Sequence, residues 1–118
     1  MNSSKTWNAS WSGKAVGTNK RLDTARGRIY RNAAYKVFLD DLAWTFAAAG
    51  ATRFERPVTV YIQEHVHGRR DVDSLIKPVL DALERSGVLA SDNLVREIRA
   101  EKQAKHGGPD RLYVEVTG

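Results

Sequence analysis

At 118 residues the chain is long enough for one hydrophobic core and too short for two. Its 42% hydrophobic and 28% charged residues fit a soluble globular domain, and no apolar run approaches the ~18 residues of a membrane span. The absence of cysteine excludes disulfides, thiolate metal sites and cysteine nucleophiles, while a net charge of +5 favours polyanionic partners without singling one out.

Residues 1–27 are rich in Ser, Asn, Gly and Lys, with Trp7 and Trp11 as the large anchors. They read as a basic, polar arm with at most one short strand. The opening MNSSKTWNASWSGK lacks the apolar stretch of a secretory signal, which fits a cytoplasmic protein. The folded domain is expected over residues 28–118. Asn32 is placed to cap a helix in which Tyr35, Phe38, Leu39, Leu42 and Phe46 follow helical spacing, and Gly50 stops it. Trp44 falls on the opposite side, either as a lone exposed ring or as part of a subunit contact.

After Pro57, the apolar Val58, Val60, Ile62 and Val66 alternate with Thr59, Tyr61, Gln63 and His65, the pattern of a strand with one buried face. A second helix is expected from Asp73 to Ser86, ended by Gly87. Leu94 to Gln103 alternates weakly, whereas Leu112, Val114 and Val116 alternate clearly. The HGGPD turn between them points to a C-terminal hairpin. Together these elements make an α+β domain.

The chemistry concentrates in GRRDVDSLIKPVLDALERSGVLASDN, residues 68–93. Asp71 and Asp73 stand two apart where a strand hands over to a helix. Helix capping and the positive end of the helix dipole explain one aspartate well and two tolerably. Asp73, Lys77 and Asp81 recur every four residues and share a face, as in a solvated salt-bridge stripe. Pro78 argues against a stripe kept for helix stability, because it removes a backbone donor early in the helix. The other reading is a magnesium or manganese site. In that reading Asp71, Asp73 and Asp92 are the oxygen ligands and Lys77 meets a phosphate.

Base surrounds this acid. Lys14, Lys20, Arg21, Arg26, Arg28 and Arg31 lie in the N-terminal third, and Arg69, Arg70, Lys77, Arg85, Arg96, Arg99, Lys102 and Lys105 surround the aspartates. Such a distribution suits a protein that holds phosphates around a cation. His65 and His67 offer a transition-metal alternative, although histidines at a strand end are more often surface hydrogen-bonding groups. No phosphate-binding glycine loop and no G-x-S-x-G elbow occurs.

The stretch R-R-D-V-D-S-L-I-K-P-V-L-D-A-L, followed by G-V-L and S-D-N, resembles the RusA family of Holliday-junction resolvases. Their pattern looks like D-x-D-N-x-x-K-x-x-x-D-A-L, a short glycine turn and a D-D pair. Asp71, Asp73, Lys77, Asp81 and Asp92 fall on its positions one by one. The likeness is strong over residues 69–103, fair over 28–50 and poor in the arm. Ser74 stands in place of the asparagine, where serine still caps or binds. Ser91 stands in place of the first aspartate of the pair, leaving Asp92 as the ligand candidate.

The resemblance implies a small single domain with a mixed sheet, two main helices and a C-terminal β-hairpin. It implies a Mg2+-dependent endonuclease, with Mn2+ as substitute, that cuts four-way junction DNA as a homodimer. Asp71, Asp73 and Asp92 would hold the metal, Lys77 would assist, and Asp81 and Ser74 would lie behind them. Arg69, Arg70, Lys20, Arg21, Arg96, Arg99 and Lys102 would follow the DNA backbone. Such a protein would be cytoplasmic, in a bacterium or encoded by a phage, with no membrane partner. The alternatives are a junction-binding module that no longer cuts, against which the intact carboxylate set argues, and an RNA-binding domain whose aspartates are helix caps, which competition between junction, duplex and RNA separates.

One distance complicates the site. A helix from Asp73 to Ser86 runs about 20 Å, and six extended steps from Ser86 to Asp92 reach at most about 20 Å before any turn at Gly87. Asp92 is therefore expected beside Asp71 and Asp73 of a two-fold partner, or else paired in cis with Asp81.

Overall fold

A computed structural model of the protein describes residues 5–17, 22–25, 28–31, 33–50, 52–66, 72–103 and 107–118. Asn32, His67 and His106 lie outside the described residues, and so do Lys20, Arg21, Arg69, Arg70 and Asp71. The elements in chain order are β1 (Thr6–Gly13), β2 (Leu22–Ala25), β3 (Arg28–Arg31), α1 (Ala33–Ala48) and β4 (Val58–His65). A 3-10 turn (Val72–Leu75) then leads into α2 (Ile76–Arg85), and a second such turn (Asp92–Leu94) leads into β5 (Val95–Gln103) and β6 (Asp110–Thr117). The main sheet is four-stranded and mixed, in the order β1-β6-β4-β5, while β2 and β3 form a separate antiparallel pair.

Period-two patterning sorts the main sheet into two faces. Trp7, Ala9 and Trp11 of β1, Val58, Val60 and Ile62 of β4, and Leu112, Val114 and Val116 of β6 are buried on one face. Against it pack Tyr35, Phe38, Leu39, Leu42 and Phe46 of α1, the five residues whose spacing predicts that helix. Trp7 and Trp11 meet Phe46 and Phe38 in edge-type contacts at centroid distances of 5.3 and 5.0 Å. Each fully buried side chain of this size contributes on the order of 1.5–3 kcal/mol. The opposite face is open and polar, carrying Thr59, Tyr61, Gln63 and His65 from the centre of the sheet. Trp44 is 76% exposed, as its off-face position implies.

Three expectations change. First, part of the arm is built into the sheet, because Thr6–Gly13 pairs with β6 along its whole length and buries both tryptophans. Small polar residues alternating with large apolar ones make an edge strand even in a Ser/Asn-rich context. Second, β5 and β6 return antiparallel but do not exchange hydrogen bonds, because β4 lies between them. β4 buries every second residue, Glu64 included, so the core favours it at the centre, whereas β5 is largely exposed. Third, the second helix begins later than Asp73, with a 3-10 turn in front of it. Pro78 consequently sits in the first turn of α2, where its missing N–H costs no helical bond. The proline carries no argument against a helix-stabilising stripe.

Candidate active site at the start of the second helix

The N-cap of α2 is Leu75, which makes no side-chain capping bond. Asp73 lies in the preceding 3-10 turn and is exposed, so capping does not explain it. Ser74 beside it turns its hydroxyl away from solvent. One turn further, Lys77 projects from the first turn of the helix. Its ammonium meets Asp81 Oδ1 at 3.0 Å and Asp92 Oδ2 at 3.9 Å. The Lys77 pKa is raised above the ordinary 10.5, first by the hydrogen bond and charge of Asp81 and then, against some burial, by the charge of Asp92.

The pair with Asp81 is an i,i+4 contact, as the stripe reading expects. Its polarity is wrong for helix stability, because a cation in the first turn opposes the helix dipole and lysine before a carboxylate is the weaker order. The contact with Asp92 reaches across to another element, which no helical stripe requires.

Asp92 comes back along α2 by a short path. Ser86 closes the helix, and Gly87, with φ +87°, takes the left-handed conformation that reverses the chain. The following segment is pinned to the connection before β4 by an isolated bridge, Phe54 N–H donating to Val88 O at 2.7 Å and Ala90 N–H to Phe54 O at 3.0 Å. Asp92 N–H then donates to Glu84 Oε2 at 2.9 Å. Ser91, one of the two departures from the family pattern, caps the second 3-10 turn by accepting from Asn93 N–H. The chain thus folds Asp92 back to its own Lys77 and, through it, to Asp81. Of the two placements that the reach argument allows, the chain makes the in-cis one, with Asp92 and Asp81 sharing Lys77.

The remaining sequence candidates divide by sheet face. Register sets Ile98, Ala100 and Lys102 beside Val60, Ile62 and Glu64 on the helix-covered side, whereas Arg99 lies beside Tyr61 on the open side. There the Arg99 guanidinium stands 3.5 Å from Glu101. Arg96 is exposed at the irregular start of β5. His65 also lies on the open face, hydrogen-bonded through Nε2 to Gln63 Oε1 at 3.1 Å. Sequence reasoning missed Glu64, which is fully buried at the end of β4. Its signal was present, since position 64 continues the buried series 58, 60, 62.

Among the described residues no three potential ligands gather into a metal cluster, and Asp71 is outside them. Among the described residues, too, no helix is long and apolar enough to cross a membrane. The arrangement is a small α+β domain with a lysine and carboxylates converging on one helix face, and residues 13–117 match a family model of endodeoxyribonucleases. That family is RusA, and the chain belongs to it. No individual curated protein matches the chain.

Proposed function

We propose that this protein is a divalent-metal-dependent endonuclease that resolves four-way DNA junctions by paired, symmetric cuts, acting as a homodimer. The observation that carries the reading is the convergence of Lys77, Asp81 and Asp92 on one face of α2, inside the stretch matched to the RusA family. Asp71, Asp73 and Asp92 would hold the ion, and their oxygens are the hard donors that Mg2+ and Mn2+ take. Asp73 and Asp92 are open enough to accept it, the Asp92 side chain being 41% exposed. When bound, such an ion supplies an activated water and offsets phosphate charge.

Lys77 is steered by Asp81 and stays half exposed, so its ammonium is oriented and still open to a phosphate oxygen. There it would stabilise charge developing in the transition state. Asp81 is a positioning residue for that ammonium. Glu84 does the same for Asp92 by holding its backbone. Lys102 and Arg96, with Arg69 and Arg70, would track the DNA backbone. Two symmetric cuts call for two sites related by a two-fold axis, hence a dimer.

The test is incubation of the protein with a synthetic four-way junction, with and without Mg2+ or Mn2+, in competition with duplex DNA and RNA. Paired nicks that need the ion and prefer the junction are the expected result. Junction binding without cleavage in either metal would leave the non-cutting module in place.

A further inference from the structure

We infer that the outer edge of β5 is the two-fold contact between copies of this chain, with Ile98 on the axis. The inference rests on the homodimer proposed above and names the surface that makes it. Among the described residues β5 has a strand neighbour on one side, β4, and no strand pairs with its other edge. Arg96, Glu97, Ile98 and Arg99 are all exposed along it. Ile98 is 39% exposed, and Val72, at 38%, sits in the 3-10 turn that packs beside β5. The opposite edge strand, β1, exposes Thr6, Asn8, Ser10 and Ser12 and no large apolar side chain. Of the two outer strands of the main sheet, and among the described residues, β5 is the one with exposed large apolar side chains beside it, while Val37 and Trp44 are exposed on α1.

A charged edge is often a device against pairing, and it works best when the charges share a sign. Here the signs alternate. In an antiparallel pair across a two-fold axis, residues equidistant from the axis face each other. With the axis at Ile98, that side chain meets its own copy, Glu97 faces the partner's Arg99, and Arg99 faces the partner's Glu97. An axis at Arg99 would instead oppose arginine to arginine, Glu97 to Glu101 and Arg96 to Lys102. An axis at Ala100 would set Ile98 against a lysine. Apolar cover and charge together select Ile98. The register break between Val58 and Thr59 leaves Arg96 out of the β4 ladder. Arg99 is 75% exposed and bound within its chain to Glu101 at 3.5 Å, a surface pair that exchanges partners at little cost.

Sedimentation of the full chain tests this. Glu97→Arg and Arg99→Glu each place like charges at both symmetric pairs, and each should weaken self-association about tenfold. An equimolar mixture of the two variants restores opposite charges at both pairs and should dimerise like wild type, which also shows that each variant is folded. Ile98→Cys would be the sole cysteine of the chain. Antiparallel partners about 4.5–5.5 Å apart suit a disulfide, so this variant should oxidise to a covalent dimer faster than Ala100→Cys. If wild type is a dimer, while both charge variants dimerise as well as it does and Ile98→Cys fails to cross-link, the edge is overturned and the homodimer stands. A monomeric wild type overturns both.

Discussion

The Lys77 ammonium lies 3.0 Å from Asp81 Oδ1 and 3.9 Å from Asp92 Oδ2, joining one face of α2 to the segment that returns from its far end. If that ammonium meets the scissile phosphate, Lys77→Met should lower the single-turnover cutting rate about 10²–10³-fold, the cost of losing one preorganised transition-state partner. Junction affinity should change far less. An unchanged rate would return Lys77 to a surface ion pair, whose removal costs under about 1 kcal/mol of stability.

The carboxylates make a different prediction. If they hold the ion, Asp71→Asn, Asp73→Asn and Asp92→Asn should each abolish cleavage and leave junction binding intact or tighter, because each would remove a ligand and also a repulsion towards phosphate. Any of the three that cuts at wild-type rate in Mg2+ is no ligand. A heterodimer of an Asp73→Asn subunit with an Asp92→Asn subunit separates cis from trans. If Asp92 serves the partner's site, one site carries both lesions, the other is intact, and the mixture nicks. Because Asp92 folds back onto its own Lys77, the expected heterodimer is dead. A nicking one would assign Asp92 to the partner.

Helical spacing made α1 legible down to its five buried residues, and alternation did the same for β4 and β6. Both signals are local. The position of β4 between β5 and β6 is not local, since it depends on which strand the core most needs at its centre. Trp7 and Trp11 were visible as anchors, but their serine- and asparagine-rich setting hid the strand that carries them. Within the site, Asp81 beside Lys77 follows from i,i+4 geometry. The arrival of Asp92 depends on the long-range Phe54 bridge and on the Glu84 bond around the turn at Gly87, neither of which helical or strand spacing encodes. Glu64 continues the buried alternation of β4, but its charge takes it out of a pattern drawn from apolar residues.

The basic residues can be ranked by a salt series. Arg96→Ala and Lys102→Ala should each flatten the dependence of log affinity on log salt by about 1 if each neutralises one phosphate, as should Arg69→Ala and Arg70→Ala. The weakening should be the same for every junction sequence, because phosphate contacts carry no base information. A slope that stays fixed in all four variants would move the DNA to another surface.

The open sheet face supplies a prediction independent of catalysis. Tyr61 and Tyr113 stand edge to face on neighbouring strands, 6.2 Å apart. The Tyr61 hydroxyl donates to Glu101 Oε2 at 3.0 Å, and the Tyr113 hydroxyl donates to Glu115 Oε2 at 2.8 Å. Both phenols are held above the ordinary 10.0, Tyr61 chiefly by burial and then by Glu101, Tyr113 chiefly by its bond to Glu115. The folded protein therefore holds these protons more tightly than the unfolded chain does. The stabilisation is complete below pH 10.0 and is lost as the pH rises through the higher folded values. Ultraviolet titration of phenolate should show two tyrosines ionising late. Glu115→Ala removes the largest cause at Tyr113 and should bring that group back towards 10.0. Glu101→Ala should move Tyr61 only part of the way, because burial remains. If Glu115→Ala leaves the titration where it was, the hydroxyl of Tyr113 does not donate to Glu115 in solution.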